Sequence, residues 1–133
     1  MLDDLISAIY KHLSTNIPSL VFRTYNSTLN GSGRVIIMND DMDIQDRRQR
    51  GTIKIVEYLP LINNPVDGGN GIDSLQHETD LQLIKDAMKL DISIPGGKIP
   101  RIELLSESGF YISDDESTSW GMLIYQYVLF LND

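Results

Sequence analysis

The last apolar run of the chain, Ser119 to Leu131 (SWGMLIYQYVLFL), constrains the fold more than any other stretch. It holds the only Trp, Trp120, together with Tyr125, Tyr127 and Phe130. Read with a period of two, Met122, Ile124, Gln126, Val128 and Phe130 form one face, and Leu123, Tyr125, Tyr127, Leu129 and Leu131 the other. Both faces are apolar, so the run lacks the alternation of a strand with one wet side. It must be covered on both sides, by its own domain or by another subunit. Its aromatic and β-branched content reads as strand rather than helix. It is also well short of the roughly 20 residues that a membrane-spanning helix needs.

The rest of the chain is expected to supply that cover. Leu2, Leu5, Ile6, Ile9, Tyr10 and Leu13 recur at helical spacing and make one apolar stripe. Asp3 and Asp4 in the first turn and Lys11 and His12 in the last suit the helix dipole, and Pro18 ends the element, so a helix is expected over residues 2–14. Leu20 to Tyr25 reads as a strand. The turn-rich NSTLNGSG of 26–33 links it to a second strand, Arg34 to Met38, in an expected hairpin. The charged segment 39–51 reads as a loop, and 52–59 (TIKIVEYL) as a third strand stopped by Pro60. Residues 60–72 (PLINNPVDGGNGI) read as a long loop. Asp73 or Ser74 then caps a second helix running to about Leu90, with Leu83, Ile84, Ala87 and Met88 as its core stripe and Leu81 beside it. After the break at Pro95-Gly96-Gly97, residues 99–105 read as a fourth strand, 109–113 as a short fifth, and 114–117 (DDES) as an acidic turn into the terminal strand.

This order predicts one α+β domain over residues 1–133, with a mainly antiparallel sheet of roughly four to six strands and two helices packed on one face. Two helices cover one face of the terminal strand and leave the other. The uncovered side, carrying Leu123, Tyr125 and Tyr127 or their opposites, is a candidate subunit contact.

The chain has no cysteine, which excludes a disulfide framework and thiolate metal sites and fits a reducing compartment. Its N-terminus (MLDDLISAIY) has acids where a signal peptide carries bases, so the sequon Asn26-Ser27-Thr28 reads as a plain loop. The net charge of −8 opposes a dedicated grip on nucleic acid, which needs clustered bases, yet suits a wall past which a polyanion must slide.

No motif for catalysis emerges. Asp40, Asp41, Asp43 and Asp46 invite a calcium reading, but counting from Asp41 puts Asp46 where the calcium loop needs Gly and Thr52 where it needs Glu. With Arg47, Arg48 and Arg50 directly after them, these acids either neutralise the arginines locally or form a self-complementary patch between copies, for which the planar guanidinium is suited. Ser74, His77 and Asp80 share one helix at spacings of three, without the turn that presents a nucleophilic serine. Gly68-Gly69-Asn70-Gly71 precedes a helix but lacks the Lys-Ser/Thr of a phosphate loop and is flanked by Asp67 and Asp73. Asp114, Asp115 and Glu116 make a hairpin turn that could line a channel. No cofactor and no enzymatic activity are expected.

The order of elements resembles that of the tail terminator (tail completion) proteins of long-tailed bacteriophages, the lambda-type family. The resemblance is carried by Leu2–Leu13 with Pro18, by the helix Ser74–Leu90, and by Gly109–Leu131, above all Phe110-Tyr111-Ile112 and Trp120-Gly121-Met122-Leu123-Ile124-Tyr125. It is a pattern of elements over nearly the whole chain, and the Gly-rich 60–72 segment is longer than the pattern asks. It implies a virion structural protein at the head-proximal end of the tail, made in the host cytoplasm. Such a protein forms a homo-oligomeric, hexameric ring that caps the tail tube protein, stops polymerisation and meets the head-completion or neck connector. DNA passes through without specific binding, no membrane is involved, and no reaction is catalysed. Under this resemblance Asp40, Asp41, Asp43, Asp46, Arg47, Arg48, Arg50, Tyr125 and Tyr127 are candidate interface residues, and Asp114, Asp115 and Glu116 candidate lumen lining. Alternatives are another head–tail joining protein, or a small cytosolic α+β binding domain or enzyme.

Overall fold

A computed structural model describes residues 2–24, 34–45, 48–64, 69–94 and 101–130. The elements in chain order are α1 (Leu2–Asn16), β1 (Phe22–Thr24), β2 (Val35–Gln45), β3 (Arg48–Pro60), β4 (Ile62–Asn64), β5 (Gly69–Gly71), α2 (Ser74–Met88), β6 (Arg101–Glu107), β7 (Tyr111–Ile112) and β8 (Thr118–Phe130). The main sheet has the order β1-β2-β3-β8-β6, with β7 pairing the first end of β8, while β4 and β5 form a separate ribbon. The fold is therefore α+β with a mixed, mostly antiparallel sheet. With the ribbon counted, its strands exceed the four to six expected.

The terminal strand β8 is central. It pairs with β3 over the whole length of both, from Thr118 opposite Pro60 to Phe130 opposite Arg48. Ser119, Leu123, Tyr125, Tyr127 and Leu129 face the helices and are buried. Leu123, Tyr125, Tyr127 and Leu129, together with Ile53 and Ile55 of β3, Val35 and Ile37 of β2, the α1 stripe Leu5, Ile9 and Leu13, and Leu81, Ile84, Ala87 and Met88 of α2, form one core. Tyr10 falls off the α1 stripe and Leu83 off that of α2; both are exposed. The helices also meet each other, where His12 Nε2 donates to the Ala87 carbonyl at the end of α2 (2.7 Å). At the start of α2, Asp73 is the cap, its Oδ1 accepting from the Gln76 amide (3.2 Å).

Three expectations are corrected. β1 runs parallel to β2, with Phe22 opposite Val35 and Thr24 opposite Ile37, so the two are no hairpin. Only a tight turn enforces antiparallel pairing, and the connection here spans residues 25–34. The loop expected over 39–51 is strand on both sides: β2 and β3 form a long hairpin whose ladder continues to Gln45 opposite Arg48, past a bulge between Asn39 and Asp41. Charge density reads as loop in a sequence, but the strand keeps its charges on the outward phase, Arg48 and Arg50 exposed, while Gln49 between them is buried opposite Leu129 and donates to the Tyr127 hydroxyl (3.1 Å). Finally, 60–72 is not structureless, because β4 and β5 pair within it.

Tyr125 and Tyr127 lie under the helices, 3% and 0% exposed, so they do not form the face left open. That face carries Met38, Lys54, Tyr58, Trp120, Met122, Ile124 and Val128, half-buried, with Ile36 and Val56 buried among them, and among the described residues no helix packs on it.

Candidate functional site

Within the helix-facing side of the sheet lies a chain of buried polar groups. β3 alternates Ile53, Ile55, Glu57 and Leu59 toward the helices, so Glu57 occupies a core position. α2 lays His77, Leu81, Ile84 and Met88 on one stripe, which brings His77 over Glu57. Ser119, the second residue of β8, lies on the same side, opposite Leu59. Glu57, His77 and Ser119 are each 0% exposed. His77 Nδ1 lies 2.9 Å from Glu57 Oε1, and His77 Nε2 lies 2.8 Å from Ser119 Oγ.

Protonation follows from burial. Loss of hydration pushes the Glu57 carboxyl up to about 10, and the neighbouring Asp80 adds to this by hydrogen bonding and by charge. The contact with Asp80 is the lesser cause: Glu57 Oε2 is buried without a hydrogen-bond partner of full geometry. Burial also lowers the pKa of His77, against the pull of Asp73 and Asp80. At neutral pH the close His77–Glu57 contact is thus a hydrogen bond between neutral groups rather than an ion pair. Two proton arrangements satisfy it. In one, Ser119 donates to His77 and His77 donates to Glu57; in the other, Glu57 donates to His77 and His77 donates to Ser119. Asp80 Oδ1 in turn accepts from Gln76 Nε2 (2.8 Å).

Phe110 closes the chain from the side. Its ring stacks on His77 at 5.0 Å between centroids and 19° between planes. Gly121 makes room for it, since a Cβ there would stand 2.8 Å from Phe110 Cδ1 and 3.2 Å from Leu81 Cδ1. Outside Phe110 is a cleft of about 280 Å³ lined by Glu78, Leu81, Gln82, Lys85, Glu107, Ser108, Phe110 and Leu123. A second cleft, of about 380 Å³, reaches Asp80; neither cleft is lined by His77 or Ser119.

The structure thus regroups the helical trio Ser74, His77 and Asp80. His77 and Asp80 share the buried chain, whereas Ser74 is exposed at the start of α2 and the serine at His77 is Ser119. Glu57 and Ser119 escaped the sequence reading. The available signal was Glu57 itself, a carboxylate in the inward phase of an otherwise apolar strand.

Among the described residues, the other candidates make no hydrogen bond to this group of buried residues. Asp43 and Arg50 stand opposite each other on the β2–β3 arm, an arrangement that favours local pairing of opposite charges, and both are exposed, as is Arg48. Asp46 and Arg47 lie outside the described residues, and of Asp40 and Asp41 only the backbone is described. At the acidic turn Asp115 is committed to the turn: it accepts from Ser113 Oγ (2.7 Å), Ser117 Oγ (2.7 Å) and the Ser117 amide (3.1 Å). These donors hold its carboxyl down at about 2. Asp114 and Glu116 are exposed beside it, Glu116 with φ of 58°.

No protein-family model matches the chain, and no curated protein sequence matches it. Among the described residues no helix is long and apolar enough to cross a membrane.

Proposed function

We propose that the chain is a virion structural protein of the tail terminator type. Six copies form a ring that caps the tail tube, stops its polymerisation and joins the tail to the head-completion or neck connector, while DNA passes through the hole. One observation carries this reading: both helices cover a single face of the sheet, and the other presents Tyr58, Trp120, Met122 and Ile124 half-buried. An apolar face of that kind in a small acidic chain is accounted for when a neighbouring subunit completes its cover. The element order of the lambda-type family agrees with it, and the exposed carboxylates of Asp114 and Glu116 suit a lumen that must not hold DNA.

The test is to add the purified chain to its tail tube protein during polymerisation and to measure tube length and tube ends by electron microscopy. Short tubes with a ring at one end are expected. Tubes of unchanged length with bare ends would contradict the reading.

A further inference from the structure

The buried chain has a geometry that a core does not require. A serine, a histidine and a carboxyl from three separate elements line up through opposite nitrogens of one imidazole, Ser119 Oγ at 2.8 Å from Nε2 and Glu57 Oε1 at 2.9 Å from Nδ1. This is the arrangement by which a base activates a hydroxyl while a third group orients the base. Placing two titratable groups and a hydroxyl in a core costs desolvation that apolar residues of similar size avoid. Phe110 stacks on the His77 ring and also lines the 280 Å³ cleft, so it is the side chain that lies between the imidazole and that cleft. Phe110 is only half-buried and follows the exposed Gly109, so its ring is held by stacking on His77 and by the space that Gly121 leaves.

We propose that Ser119 is a latent nucleophile, gated by Phe110, that accepts an acyl group from small esters entering through the cleft. When Phe110 swings aside, Ser119 Oγ attacks the carbonyl carbon, and the Oγ proton passes to His77 Nε2. The imidazolium so formed keeps its Nδ1 proton on Glu57 Oε1. Glu57 Oε1, 2.9 Å from Nδ1, accepts that proton's hydrogen bond and so orients the imidazolium. Collapse of the adduct releases the alcohol, which takes the proton from Nε2, and leaves an ester on Ser119. Water then cleaves that ester by the same route, with His77 again as base. The step involves no change of oxidation state and no further reactant. It does not depend on the tail reading.

The test uses the full chain, a fluorophosphonate as probe and mass spectrometry to locate the adduct. The probe forms an O–P bond to the serine, fluoride leaves, and His77 takes the proton. In the resting fold Ser119 is sealed, so wild type labels slowly. Phe110→Ala opens the gate, and labelling at Ser119 is expected to rise at least about tenfold, because the rate follows the population of the open form. Gly121→Ala opens it independently by pushing the Phe110 ring off His77. Adding His77→Gln to Phe110→Ala should return the rate to the slow level, which mere exposure of a serine would not do. Circular dichroism and a cooperative melt establish that each variant is folded. Absence of a Ser119 adduct in both folded gate variants overturns the proposal, as does equal labelling with and without His77.

Discussion

Glu57 is the residue whose ionisation most affects the fold. Its carboxyl is neutral in the folded chain up to about pH 10, whereas unfolded it ionises near its ordinary 4.5. Folding therefore takes up a proton across that interval. The associated stability is fully present below 4.5 and drains as pH rises toward 10, at about 1.4 kcal/mol per pH unit at most. His77 acts in the opposite sense. Its pKa is lowered from 6.5, so its contribution is present above 6.5 and is lost as pH falls below that value. The two slopes oppose each other below 6.5, and Glu57 alone acts above it. Glu57→Gln keeps an acceptor for His77 and removes the titration. Urea denaturation from pH 6.5 to 9 should show wild type losing stability relative to this variant; parallel profiles would mean that Glu57 is ionised in the fold. Gly121→Ala is expected to cost about 1–3 kcal/mol by forcing Phe110 and Leu81 apart, read as a shift in the urea midpoint. Glu116→Gly should raise stability by about 1 kcal/mol, since φ of 58° is a conformation that glycine adopts without a Cβ clash.

At the scale of elements, the parts that were legible in the sequence are those whose signals are local. The α1 stripe, the Asp73 cap with Gln76 and the strand character of 118–130 all follow from spacing and propensity, and the elements form where those signals lie. Strand direction and partner choice are not local. Nothing in NSTLNGSG says that β1 and β2 run parallel, and nothing in NDDMDIQDRRQRG says that its charges ride on a ladder shared with β3. The buried chain failed to appear for the same reason, because Glu57, His77 and Ser119 meet only once β3, α2 and β8 are assembled. A histidine does not announce a core position, whereas Leu81 and Ile84 do, yet His77 is as buried as they are. The β2–β3 arm carries its own prediction. Replacing Arg47, Arg48 and Arg50 with Glu should leave the thermal melt of the free chain within a few degrees of wild type while impairing ring assembly. The ladder holds the arm by backbone bonds to β2 and β8, and exposed charges on it add little to stability. A variant that joins tails normally would remove the arm from the interface.

At the scale of the whole molecule, the sheet has two unlike faces. One is closed by α1 and α2 over a continuous core. The other offers Tyr58, Trp120, Met122 and Ile124, and the terminal strand contributes to both. β8 thus links the core to the open face: Leu123, Tyr125 and Tyr127 anchor it, and their neighbours in sequence face outward. The sequence located the strand and its two apolar faces but assigned the tyrosines to either side. Only the placement of the helices decides that. The most direct test is tube-end decoration by the wild-type chain and by Ile124→Lys, imaged by electron microscopy with both proteins folded by circular dichroism. Rings on wild-type tube ends, and bare ends with the variant, are the predicted result. Equal decoration by the two, or no rings with either, would contradict the assignment of this face to assembly.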